Sequence, residues 1–109
     1  MDVMVVLTLV WLHFFADFII QSDRMARDKS NSNKWLGIHC LAYSIPFIII
    51  SPLYALINGL LHFMTDYVTS RQTIKLWRKK QAHWFFVGIG LDQALHITAL
   101  VLTYNYMFT

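Results

Sequence analysis

Four long apolar stretches alternate with three short polar ones. The apolar stretches run from about Val3 to Ile20, Trp35 to Ile50, Leu53 to Thr69 and Trp84 to Phe108. A helix crossing a bilayer needs about 17–25 residues, and unpaired backbone is so costly in lipid that a spanning segment is helical. The pattern therefore predicts an all-α, integral membrane four-helix bundle, a single domain over residues 1–109. The middle two segments are short for this purpose, which predicts local thinning of the bilayer or little tilt. Pro46 removes a backbone donor and predicts a kink in the second segment. Ser51-Pro52 leaves room only for a tight turn, so segments two and three form an antiparallel hairpin. The first stretch has no basic leader and carries His13 and Asp17, so it is expected to be a retained span, not a cleaved signal peptide.

Composition strengthens the membrane reading. Apolar residues make up 57% of the chain and charged ones only 14%, against about 25% charged in a soluble domain. A soluble chain this small has too much surface for its volume to hide so many apolar groups. The net charge of +3 matters less than its placement. Lys and Arg are confined to Arg24–Lys34 and Arg71–Lys80, the first and third connections. Positive residues mark cytoplasmic loops, so both termini are expected on the non-cytoplasmic side. Trp35 and Trp84, at segment starts, suit interfacial anchoring, and the basic connections suit anionic lipid. No interleaved aromatic platform accompanies the charge, so nucleic acid is not an expected partner. Cys40 is the single cysteine, which excludes an intrachain disulfide and reads as a small hydrophobe.

Against this apolar background the ionisable residues stand out. His13, Asp17 and Gln21 are spaced by four and share a helix face. His62 and Asp66 repeat the His-x-x-x-Asp spacing, Asp92 and His96 reverse it, and the second segment adds His39 with Tyr43 one turn on. At about 1.5 Å per residue, His13, Asp17, His39, His62, Asp66, Asp92 and His96 fall within a slab of roughly 15 Å near the cytoplasmic face. An ionised Asp at mid-membrane costs about 2.5–3.5 kcal/mol on insertion scales and turns toward the bundle interior. Divalent metal compensates several carboxylates at once, and bundle cores build such sites from carboxylates and His on facing helices. The seven residues are therefore candidate ligands for one or two metals, zinc first, with iron or manganese also suited to the donor set. Gln21, Lys29, Asn58 and Gln93 are candidates for the surrounding shell. His83, beside the basic connection, reads as interfacial. The same polar residues would also suit a structural hydrogen-bond network or a proton path.

The motifs His13-x-x-x-Asp17-Phe18-x-x-Gln21, Lys29, His39, His62-x-x-x-Asp66-Tyr67 and Asp92-Gln93-x-x-His96 resemble the DUF3307 family of small bacterial and phage membrane proteins. More distantly, the arrangement is similar to membrane metal-dependent hydrolases of the YdjM type. The resemblance implies a multi-pass protein of the bacterial inner membrane and marks the same polar residues. Joined to the metal reading, it leads to a metal-dependent hydrolase acting on a lipid or amphiphilic phosphate or acyl substrate at the cytoplasmic leaflet. Asp17, Asp66 and Asp92 would bridge or bind the metals and carry the catalysis. Two alternatives stay open: a divalent-ion or proton transporter acting as a homo-oligomer, and a non-enzymatic phage-type factor such as a holin-like or exclusion protein.

Overall fold

The computed structural model describes residues 1–109, and every regular element is helical. Helix α1 (Val3–Phe14) runs on through one π-helical turn, Phe15–Ile19. A short helix α2 (Asp23–Asp28) lies in the first polar connection. Helix α3 (Asn33–Ser44) tightens into a 3-10 turn, Ile45–Ile49, and is followed by α4 (Pro52–Arg78) and α5 (Ala82–Phe108).

The starts of these helices are written locally. Asp2 accepts a hydrogen bond from the Met4 amide at 2.9 Å. Ser22, Ser32 and Ser51 accept from the amides of Met25, Trp35 and Tyr54. Each side chain satisfies an amide that the first helical turn leaves free. Pro52 occupies the first turn of α4, where its missing donor costs nothing. The kink expected at Pro46 takes the form of a change in helix type, since the ring supplies no N–H to continue the α pattern.

The third segment differs most from expectation. It does not end at Thr69 but continues to Arg78, leaving only Lys79–Gln81 as a connection. Ser70, Thr73, Ile74 and Trp77 recur at one-face helical spacing. Ser70 and Thr73 are buried, and Trp77 meets Phe85 of α5 with ring centroids 4.9 Å apart. The charged residues Lys75, Arg78 and Lys79 face outward. The turn closes with Lys80 in the left-handed region (φ 59°), the Lys80 amide donating to Trp77 O and the Gln81 amide to Leu76 O. These are the two bonds of a Schellman cap.

Inside and outside are reversed relative to a water-soluble bundle. Of 19 buried residues, ten are polar or charged, while Trp11, Phe18, Leu41, Ile49, Leu60 and Leu102 are among the large apolar residues left exposed. A small apolar core of Leu9, Phe47, Tyr54, Ala55 and Leu100 fills one end. By length and composition, α5 is the one helix able to cross a membrane, with mean hydropathy 1.7 in its most apolar stretch, and Val3–Ile19 is a shorter apolar segment. α3 is interrupted by its 3-10 turn, and α4 carries the polar residues of the interior.

Helices α4 and α5 pack tightly at Gly88, where an added Cβ would lie 2.8 Å from Cγ2 of Thr73. Overpacking of this kind costs about 1–3 kcal/mol, whereas alanine gains roughly 1 kcal/mol over glycine in a helix. Gly88→Ala is therefore expected to lower the melting temperature of the detergent-solubilised protein. In a Thr73→Ser background, which lacks the offending methyl, the same change should raise it. An unchanged sign in the two backgrounds would show that this contact does not set the helix spacing.

Candidate metal centre

Each long helix contributes to one buried cluster. The π turn after α1 carries Asp17, with His13 one turn earlier; α3 carries His39; α4 carries His62 and Asp66; α5 carries Asp92 and His96. All seven are buried. A π turn is an insertion often found at functional sites. Here the Ile20 amide donates to Phe15 O, five residues back, at 3.0 Å, and the polar stripe begun at His13 breaks off before Gln21.

The centre of the cluster is formed by four atoms from two helices, α3 and α4, and the π turn. His39 Nε2 lies 3.0 Å from His62 Nε2, 3.1 Å from Asp17 Oδ1 and 3.5 Å from Asp66 Oδ2. His62 Nε2 lies 3.5 Å from Asp17 Oδ1 and 3.3 Å from Asp66 Oδ2. For bonds of about 2.0–2.1 Å to nitrogen and oxygen, a regular tetrahedron has edges of about 3.3–3.4 Å. These five separations bracket that edge. Neither Asp17 Oδ1 nor Asp66 Oδ2 receives a hydrogen bond, although both are fully buried. Buried carboxylate oxygens without a donor are rare and costly. Each of these two lies within 3.5 Å of both imidazole nitrogens, and a cation among them would relieve the buried charge.

Around this centre the remaining groups are held in order. Asp66 turns its other oxygen, Oδ1, to His96 Nε2 at 3.0 Å, and His96 Nε2 is 3.1 Å from Asp92 Oδ1. Asp66 thus joins the central set to a second, outer one. Thr69 donates its hydroxyl proton to Asp92 Oδ1, and Ser70, one residue on, donates to Asp66 O. Lys29 reaches in from the end of α2 and places Nζ 3.4 Å from Asp66 Oδ2, its side chain only 19% exposed. The His62 ring is clamped between Tyr43, 3.9 Å away centroid to centroid, and His96, 3.8 Å away. Nδ1 of His39 and of His62 has no partner, so packing fixes the His62 ring in place of an outer hydrogen bond.

His13 has different surroundings. Gln93 Nε2 lies 3.1 Å from both Asp17 Oδ2 and Asp92 Oδ2. Two carboxylates require a donor between them, which fixes the amide orientation. Gln93 Oε1 then faces His13 Nε2 at 2.6 Å and must accept its proton. His13 Nδ1 in turn accepts from the Tyr43 hydroxyl at 2.9 Å. Both nitrogens of His13 are therefore occupied, and the chain Tyr43–His13–Gln93 holds two carboxylates from behind.

Among the candidates for the surrounding shell, Gln93 and Lys29 join the cluster. Gln21 Oε1 is buried without a partner. Asn58 does not join: it donates to Tyr54 O at 3.1 Å and Thr103 Oγ1 at 2.9 Å, toward the apolar end. His83 is exposed beside Trp84. Tyr43 and Thr69 belong to the cluster although spacing did not assign them to it. Tyr43 is one turn after His39, and that spacing is the signal that points to it.

Three overlapping groups are arranged so that they could hold a metal ion: Asp17, His39 and His62; His62, Asp66 and His96; Asp17, Asp92 and His96. The chain matches the family described as "Protein of unknown function (DUF3307)" over residues 5–109, which includes every residue of the cluster. It belongs to the DUF3307 family. No curated protein and no solved structure matches the chain. The description of DUF3307 assigns no reaction, so the chemistry of this member rests on the geometry of its buried residues.

Proposed function

We propose that this DUF3307 protein is a membrane-embedded, metal-dependent hydrolase. The observation that carries the reading is that Asp17 Oδ1 and Asp66 Oδ2 each lie within 3.5 Å of both His39 Nε2 and His62 Nε2, while neither oxygen receives a hydrogen bond. That set would hold one divalent ion. The outer set of Asp66 Oδ1, His96 Nε2 and Asp92 Oδ1 would hold a second with positions left open, the usual difference between structural and catalytic sites. Two divalent ions (+4) against Asp17, Asp66 and Asp92 (−3) leave about one positive charge, which favours a bound hydroxide or a phosphate. A metal so placed supplies a water acidic enough to attack an ester at neutral pH, and stabilises the negative charge that develops. Zinc heads the order of expectation for these ligands, ahead of iron and manganese.

The membrane part of the proposal is a multi-pass bundle in the bacterial inner membrane. Its four crossing segments are α1 with its π turn, α3 with its 3-10 turn, α4 and α5, with both termini on the non-cytoplasmic side. The reversed distribution of apolar and polar residues supports it, as does the approach of the two basic stretches, where Arg71 of α4 donates to Asn33 Oδ1 of α3 at 2.6 Å. The metal cluster would then lie beside the cytoplasmic headgroups. An ester of a lipid or another amphiphile is the substrate that this position offers. Resemblance to YdjM-type hydrolases points the same way.

The test is elemental mass spectrometry on protein purified in detergent without chelators or a metal column. One to two metals per chain are expected. No metal, even after resupply with zinc, manganese and iron, would overturn the proposal. Protein that leaves the membrane fraction on alkaline washing would overturn its membrane part. The transport alternative, in which a homo-oligomer carries divalent ions, predicts ion flux into liposomes without turnover of any ester.

A further inference from the structure

Two clefts meet beside the cluster. The inner one is polar and small, and Asp66, Asp92 and Thr69 line it. The outer one is larger and mostly apolar, lined by Ile74 and Trp77 of α4 and by Phe85 and Phe86 of α5. Lys29, Ser70, Thr73 and Ile89 line both, so the two are continuous. The continuation of α4 beyond Thr69 creates the outer cleft, since Thr73, Ile74 and Trp77 all lie in that extension. No acidic residue lines the outer cleft. At the neck stands Lys29, the one cation drawn into the bundle, its ammonium 3.4 Å from Asp66 Oδ2.

We propose that this passage binds an amphiphile with a phosphate headgroup, which reaches the cluster sideways between α2, α4 and α5. The headgroup would lie against Lys29 at the neck, with the apolar chain along Trp77, Phe85 and Phe86. Charge complementarity selects the occupant. The neck has one ammonium, which suits phosphate oxygens, and beyond it lies a surface that only an apolar chain would cover favourably. A cationic headgroup would meet Lys29 unfavourably. The proposal rests on the hydrolase reading and deepens it, naming the substrate class and its way in.

The test uses an alkyl phosphate bearing a photoreactive diazirine on its chain, added to the full-length protein in neutral detergent, with metal content measured in parallel. Labelling is expected in the peptides holding Ile74–Trp77 and Phe85–Ile89. An excess of dodecyl phosphate should suppress it, and equal amounts of inorganic phosphate or dodecyl maltoside should not. Lys29→Gln should reduce labelling about tenfold. Ile89→Trp, which narrows the neck and replaces no metal ligand, should reduce it as strongly while metal content stays at the wild-type value. Labelling spread over all outer apolar faces, or suppressed equally by dodecyl maltoside, would overturn the proposal while leaving the metal reading intact. Specific labelling in a protein that binds no metal would uphold the phosphate groove and overturn the hydrolase instead.

Discussion

Asp66→Asn is expected to remove essentially all bound metal, whereas Asp92→Asn should keep about one ion per chain. The difference follows from where the two carboxylates stand. Asp66 Oδ2 lies among the four central atoms, and its Oδ1 faces His96. Asp92 touches only the outer set, through His96, Thr69 and Gln93. A structural zinc site of four ligands is worth about 10–16 kcal/mol. One ligand in four is then about 3 kcal/mol, or two decades of affinity. At Asp66 the loss falls on both sets, and the amide nitrogen of Asn adds donors where cations should bind. Metal counted after dialysis against micromolar zinc, together with a competitive chelator titration, would read both effects. Equal losses in the two variants would show that the second set does not exist. No loss in Asp66→Asn would end the metal reading altogether. Lys29 adds a check, because a lysine 3.4 Å from a carboxylate competes with a cation for it. Lys29→Gln should leave the metal count unchanged or strengthen binding, never weaken it severely.

The parts of this site that spacing made legible are those that depend on helix periodicity alone. His13 with Asp17, His62 with Asp66 and Asp92 with His96 are pairs four apart, and a helix places such pairs on one face whatever surrounds them. Their shared depth followed from alternating helix direction and a fixed rise per residue. What spacing could not supply is which partner each ring nitrogen meets, because this depends on how the helices are rotated against one another. Asn58 is one turn from His62 on α4, yet its amide faces Thr103 of α5. Gln21 continues the His13–Asp17 stripe in the sequence, but the π turn at Phe15–Ile19 breaks the register first. Reading Ser70–Arg78 as a connection gave weight to its charges over its apolar period, and hid the residues that line the outer cleft.

His13 and His39 show the same limit most sharply, since both are buried histidines at one depth and their contacts are unlike. His13→Ala is expected to retain the full complement of metal at saturation, with affinity lowered about 10- to 100-fold, the usual cost of losing an outer-shell partner. His39→Ala should lose the central ion outright. Gln93 links the two effects, since it passes the hydrogen bond of His13 on to Asp17 and Asp92. Gln93→Leu leaves two buried carboxylate oxygens and an imidazole without that partner, at a cost of about 1–3 kcal/mol for each unsatisfied group. The variant should therefore melt at lower temperature without metal and recover a large part of the difference on adding zinc, because a cation and the amide relieve the same buried charge. Gln93→Glu should be worse than Leu in both respects, since it places a further carboxylate between Asp17 and Asp92. A purely structural network predicts that zinc restores nothing in any of these variants. A His13→Ala protein as empty of metal as His39→Ala would make His13 a ligand and require the Tyr43–His13–Gln93 chain to rearrange on binding.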